Sequence, residues 1–255
     1  MLGLCQFIQF NPHNSLLAAL ARGFWLPQSV TLFYWSHVSD RPIVASYITT
    51  FLKPEMRHIY RQVSSLKRVD PFVICRENVN QDQYPFSPVE LLPRRTGNFL
   101  NRFWLKYIKK TEPFVYRGEM AVLRQAVERH GADMMHIYFG HTGVHLLPFI
   151  RAWNKPCIVS FHGMDVQTRD SRPGYKERLR ELLQVVPLVL ARSDSLAERL
   201  RDLGCPDEKI RLNRTGIPLN AFVYQERSIP EDGRWHIVQA CRLIPKKGLP
   251  TALRA

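Results

Sequence analysis

The sequence predicts an α/β chain in which a parallel sheet is flanked by helices. Two patterns carry that expectation. Short runs rich in β-branched residues recur along the chain, and stretches with apolar residues spaced by three and four separate them. The composition is that of a folded protein, since 45% of the 255 residues are hydrophobic and 23% are charged, outside the range of disordered chains.

Strands are expected at 42–47, 71–75, 134–139, 157–161, 188–191, 209–212 and 235–240. A helix over 54–68 would align Met56, Ile59, Tyr60, Val63 and Leu66 on one face, and one over 142–153 would do the same with Val144, Leu147, Ile150 and Trp153. The helix expected at 195–203 opens with Ser195-x-x-Glu198, a pattern that can cap exposed amides, and Gly204 and Pro206 end it. Residues 81–96, with Pro85, Pro88 and Pro93, read as a loop.

Residues 1–36 carry one formally charged residue, Arg22, whereas the rest of the chain is densely charged. This extension is either an interfacial segment or a stretch that contributes nothing to the fold. Its most apolar part, 16–35, is interrupted by Arg22, Pro27 and Gln28, so no membrane-spanning helix is expected. Residues 1–21 lack the basic start of a secretory signal, which argues against export. Cys5, Cys75, Cys157, Cys205 and Cys241 are odd in number and far apart, which suits a reducing compartment better than a disulfide framework.

Ligands of a doubly wound sheet bind outside the carboxyl ends of its strands, so the residues that follow each strand are the ones to weigh. His162 and Gly163 directly follow the run 157–161, where a glycine turn brings backbone amides close to a ligand and an imidazole can hydrogen-bond sugar or phosphate. Gly140, His141, Thr142 and Gly143 follow another strand and open a helix whose amides could face an anion. A structural turn explains either motif equally well on position alone. The glycines match neither the dinucleotide fingerprint nor a P-loop.

His136, His141, His145 and His162 fall close together, and His141 and His145 are spaced to share a helix face, which raises a metal-dependent hydrolase. The pattern His141-x-x-x-His145 lacks the glutamate of the zinc protease motif, so no metal is expected.

Lys and Arg number 36 against 22 Asp and Glu, for a net charge of +14. Residues 94–129 alone hold nine basic residues against three acidic ones. Within them, 98–110 reads as a basic amphipathic helix, with Phe99, Leu100, Phe103, Trp104, Tyr107 and Ile108 beside Arg102, Lys106, Lys109 and Lys110. It suits either an anionic membrane surface or an apolar stripe in the core with a solvated basic face. No recognised nucleic-acid-binding motif accompanies the charge, so nucleic acid is not expected as a partner.

Taken together, His136-Ile-Tyr-Phe-Gly140, Ser160-Phe-His-Gly-Met-Asp165, Ala191-Arg-Ser-Asp-Ser-Leu-Ala-Glu-Arg-Leu200, Asn213-Arg-Thr-Gly-Ile217 and the run from Ile237 to Leu249 resemble, in order, segments of family 4 glycosyltransferases of the GT-B fold that build bacterial polysaccharides. The resemblance implies two Rossmann-like domains. Residues 37–219 would be the acceptor-side domain, 220–234 a linker and 235–255 the incomplete start of the donor domain, which would leave the chain alone inactive.

It further implies retaining transfer of a hexose from a UDP- or GDP-linked sugar to a lipid-linked or polysaccharide acceptor, with no cofactor, at the cytoplasmic face of the membrane. By the same resemblance His162 contacts the transferring sugar, Gly163 and Ser193 assist donor binding, and Gly140 and His141 line the cleft. Arg242 and Lys247 would neutralise the diphosphate, where charge develops as the bond breaks. Around Thr49 and Thr50 the family's usual glycine pair is missing, which weakens that donor contact. A non-catalytic binding module that uses the cleft or the basic region is the alternative.

Overall fold

The structure is a computed structural model that describes residues 41–93, 100, 103–109, 113–166, 174–226, 228, 230–234 and 237–254. The extension 1–36 and the predicted membrane-facing Arg102 and Lys110 lie outside these residues. The elements are β1 (Ile43–Tyr47), β2 (Thr50–Phe51), α1 (Arg57–Ser64), β3 (Asp70–Cys75), β4 (Glu77–Asn78), β5 (Val89–Leu91), α2 (Pro113–Tyr116), α3 (Glu119–Arg129), β6 (Met134–Tyr138), α4 (Gly140–Ala152), β7 (Cys157–Phe161), α5 (Tyr175–Val185), β8 (Leu188–Ala191), α6 (Asp194–Asp202), β9 (Ile210–Leu212) and α7 (Leu249–Ala252).

Seven strands form one parallel sheet in the order β5-β3-β1-β6-β7-β8-β9, and β2 pairs with β4 in a small separate ribbon. The chain builds outward from β1 through β3 to β5, then returns to β6 on the other side of β1. Such a reversal opens a crevice between the carboxyl ends of the two central strands.

Each central strand buries both faces, as a sheet covered by helices on both sides must. On one face Ala45, Tyr47, Phe72, Ile74, Met135, Ile137, Val159 and Phe161 join the large core with residues of α3, α4, α5 and α6. On the other, Val73, Cys75 and Tyr138 pack with Ile48, Phe51, Ile59 and Val63 around α1. Gly143 permits close packing of α4 on α5, since a Cβ there would lie 2.7 Å from Leu182 Cδ2.

Several boundaries differ from expectation. The segment 54–68 begins as a 3-10 turn at Pro54–Met56, and its α-helix stops at Ser64, where the Ser65 amide and hydroxyl both donate to the Arg61 carbonyl and the Leu66 amide turns to the Val63 carbonyl. The reading of 81–96 as a loop omitted β5, whose three residues pair with β3 from Val73 opposite Val89 to Cys75 opposite Leu91. Only tertiary pairing makes so short an edge a strand. Helix α6 is capped by Ser193, which accepts from the Leu196 amide at 3.2 Å, not by Ser195 as the Ser195-x-x-Glu198 pattern suggests. Its end is as expected: Gly204 takes φ +90°, and the Cys205 and Gly204 amides return to the Leu200 and Arg201 carbonyls.

The chain divides into two units after Gly216. In the second, no described residue is buried, and Phe222, Tyr224, Ile237, Val238 and Leu243 are highly exposed. The predicted strand at 235–240 is not formed over its described part, 237–240, where no neighbouring strand supplies partners for the backbone. Residues 235 and 236 lie outside the described residues.

Truncating Leu182, which is fully buried, to alanine is expected to cost about 2–5 kcal/mol, read as a lower urea midpoint.

Candidate active site

Loops after β6, β7 and β8 and helix α1 bring candidate residues of the first unit together. The centre of the arrangement is the Asp165 carboxylate, which is buried. It accepts the Gly140 amide at 2.9 Å, the Gly163 amide at 2.8 Å and the His162 amide at 3.0 Å to each oxygen. The Tyr175 hydroxyl donates to the Asp165 carbonyl at 2.9 Å, which ties α5 to the same loop.

This changes the reading of Gly140. The α4 amide expected to face an external anion already has one, supplied by the protein's own carboxylate. Gly140 is also required by packing, because a Cβ would overlap the Phe161 ring. Beside it, Phe139 takes φ +74°, a left-handed conformation that costs energy for a side chain of this size. Its ring packs on His162, with centroids 4.5 Å apart, and on the exposed His141 at 5.6 Å. Gly163 takes φ +111° with open space where a Cβ would be, so its glycine serves the turn and leaves room beside it.

The His162 ring is held by residues that the sequence patterns did not single out. His58 Nε2 of α1 lies 3.3 Å from its Nδ1, and Arg192 Nη1, just after β8, lies at the same distance from that atom. His162 Nε2 is buried without a hydrogen-bond partner among the described residues. Burial first, then the positive charge of Arg192 and the neighbouring His58 and His136, push the His162 pKa down to about 3. Burial, Arg192 and Arg61 lower His58 to about 4, and burial lowers His136 to about 4. All three rings are therefore neutral at neutral pH.

The four histidines considered as a metal cluster take separate partners. His136 Nε2 meets the Ser160 hydroxyl, and His145 Nε2 lies 2.7 Å from Glu119, which also pairs with Arg76. Burial alone would raise the Glu119 carboxyl, but the His145 hydrogen bond and the Arg76 charge bring it below its ordinary value. Among the described residues no three His, Cys, Asp or Glu side chains gather as metal ligands do.

Ser193, expected to help bind the donor, spends its hydroxyl on the α6 cap and stands 3.1 Å from the Ser195 hydroxyl. Arg242 and Lys247 belong to the second unit, where both are exposed. Lys247 ends a 3-10 turn at Pro245–Lys247, followed by Gly248 at φ +67°, and its carbonyl accepts from Gln239 Nε2 at 3.0 Å.

The predicted basic helix 98–110 is described at 100 and 103–109. Trp104–Ile108 forms a wide π-type turn closed by the Lys109 amide on the Trp104 carbonyl at 3.0 Å. The core alternative does not hold for these residues, since Leu100, Phe103, Trp104, Tyr107 and Ile108 are 48–73% exposed. Lys106 Nζ donates to the Tyr107 hydroxyl at 2.9 Å and lies 4.6 Å from the ring centroid.

The profile of the family described as Glycosyltransferase Family 4 matches residues 57–221, well over half of the chain. The chain belongs to glycosyltransferase family 4. WcaL of Salmonella typhimurium, assigned to colanic acid biosynthesis as a glycosyltransferase, is 31% identical over 138 residues, covering 53% of this chain and 34% of that protein. The amylovoran biosynthesis glycosyltransferase AmsK of Erwinia amylovora is 29% identical over 126 residues, covering 49% and 31%. The chain thus spans about a third of the length of these relatives. Among solved structures, HepE of Anabaena in complex with UDP superposes with a TM-score of 0.51 at 13% identity, covering 70% of this chain and 45% of that one. That likeness establishes the GT-B-type fold of this family 4 chain.

The neutral histidines set a pH dependence. Their folded pKa values lie below the unfolded value of about 6.5, so the unfolded chain binds more protons in between. Stability is fully present above pH ~6.5 and falls as pH drops towards about 4 for His58 and His136 and about 3 for His162, by up to about 1.4 kcal/mol per pH unit for the His136 and His162 rings and by less for the half-exposed His58, whose charge water screens. Urea melts across this range check it, and His136→Phe is expected to flatten the slope.

Proposed function

We propose that the chain is the acceptor-side part of a retaining glycosyltransferase of cell-surface polysaccharide biosynthesis, carrying the opening of the donor-binding domain. In the reaction, an acceptor hydroxyl replaces the diphosphate at the anomeric carbon of a nucleotide sugar, and a nucleoside diphosphate and a proton are released. The observation that carries the reading is the His162 loop, held by Asp165 at the carboxyl ends of the central strands, in a chain whose family membership is established. His162 contacts the transferring sugar. Arg242 and Lys247 counter the charge that develops on the diphosphate. WcaL and AmsK supply the polysaccharide context, and the UDP complex of HepE supports a uridine-linked donor.

The acceptor is lipid-linked or a growing polysaccharide, met at the cytoplasmic face of the membrane. No helix among the described residues is long and apolar enough to cross a membrane. The surface proposed to meet the membrane is formed by the exposed Leu100, Phe103, Trp104, Tyr107 and Ile108 with Lys106 and Lys109. Aromatic rings at the interface and cations on anionic headgroups are the chemistry such a surface selects.

In a full-length relative, alanine at the position matching His162 or Lys247 is expected to lower kcat by at least about tenfold, a loss of ~1.4 kcal/mol of transition-state stabilisation. Unchanged turnover would refute the assigned role. Sedimentation of this chain with vesicles should require anionic lipid and weaken with salt, and Trp104→Ser with Lys106→Glu should abolish it. Binding indifferent to lipid charge and salt would remove the membrane face.

A further inference from the structure

We infer that Arg192, seconded by His58, is a positioning residue that locks His162 as a neutral ring with its proton on Nε2, so that His162 meets a ligand as a hydrogen-bond donor and not as a base. A guanidinium carries only donors and stays charged at any working pH. Arg192 Nη1 lies 3.3 Å from His162 Nδ1, so that nitrogen must present its lone pair. A neutral imidazole with a bare Nδ1 keeps its single proton on Nε2.

His58 fits the same assignment. Its Nε2 is 3.3 Å from the same Nδ1 and must likewise donate, which leaves its own Nδ1 bare. Two donors on one acceptor thus come from elements on different sides of the site, α1 and the segment after β8. The alternative tautomer would set a His162 Nδ1 proton against the Arg192 cation. Doubly protonated His162 would place two cations at hydrogen-bond distance.

The other titratable and charged groups around the ring agree with this. Arg61 on α1 adds positive charge near His58, and His136 on β6 is neutral. The nearby carboxylate of Asp165 takes the loop's backbone amides, including that of His162 itself. Among the described residues no acid lowers the cost of a His162 cation. The atom left over is Nε2, buried and without a partner among the described residues, and a buried polar atom in that state calls for a partner, a ligand group or an ordered water.

For transfer chemistry this has a specific meaning, and here the inference rests on the proposed function. A donor N–H holds an oxygen of the transferring sugar, whereas a bare nitrogen would remove a proton from an acceptor hydroxyl. His162 would act by holding.

The test is long-range proton–nitrogen NMR of the whole chain labelled with 15N-histidine. His162 is expected to show an unprotonated Nδ1 and a protonated Nε2 throughout about pH 5–8, with no titration in that span. Arg192→Met should mix the tautomers and raise the titration midpoint by about one pH unit or more. Arg192→Gln, which keeps an N–H donor without the charge, should keep the tautomer but raise the midpoint. A proton on Nδ1 in the unsubstituted chain would overturn the inference without any variant, and so would an Arg192→Met spectrum identical to it. Failure of the role proposed for His162 in transfer is distinguishable, because it would appear as unchanged turnover of a full-length relative with alanine at the matching position, whatever the NMR shows.

Discussion

Three backbone amides from two loops converge on one buried carboxylate, and the architecture of the candidate site depends on that convergence. Asp165 follows the turn after β7, yet it also holds the first amide of α4. A charge-assisted hydrogen bond is worth roughly 1.5–3 kcal/mol, so the set joins the loops after β6 and β7 into one body. With that body in place Phe139 keeps its left-handed backbone against steric cost, and its ring lies along His162. The imidazole in turn sits where His58 and Arg192 reach its Nδ1.

A polar network of this kind works only because the sheet beneath it is rigid. The β6 and β7 strands are in register from Met135 opposite Cys157 to Tyr138 opposite Ser160, so β7 ends one residue beyond β6. Gly140 then allows α4 to leave with its backbone against Phe161. Packing thus fixes where the loops begin, and the carboxylate fixes where they go.

The sheet was legible in the sequence because its strands are short, β-branched and separated by periodic helices; the runs 157–161 and 188–191 match β7 and β8 residue for residue. The place of His162 was legible because it directly follows the run 157–161, which forms β7. His58 and Arg192 were not, since they lie 104 and 30 residues from His162 and no local pattern marks a long-range hydrogen bond. Asp165 stood within a recognised segment, but a lone aspartate does not reveal which amides it will accept. The cap of α6 shows a different limit. Ser193 and Ser195 are both competent, and the capping-box pattern favours the second, while the helix begins at Asp194, which puts its acid in the first turn and leaves Ser193 at the boundary.

The central claim is that the Asp165 carboxylate joins the two loops. Amide hydrogen exchange of the unsubstituted chain and of Asp165→Asn tests it most directly. If the account is right, Gly140, His162 and Gly163 exchange at least about tenfold faster in the variant, as loss of ~1.4 kcal/mol or more requires, and they do so together while Ala45 and Phe72 in the sheet keep their protection. Unchanged exchange at those three amides, or acceleration at only one of them, would contradict it.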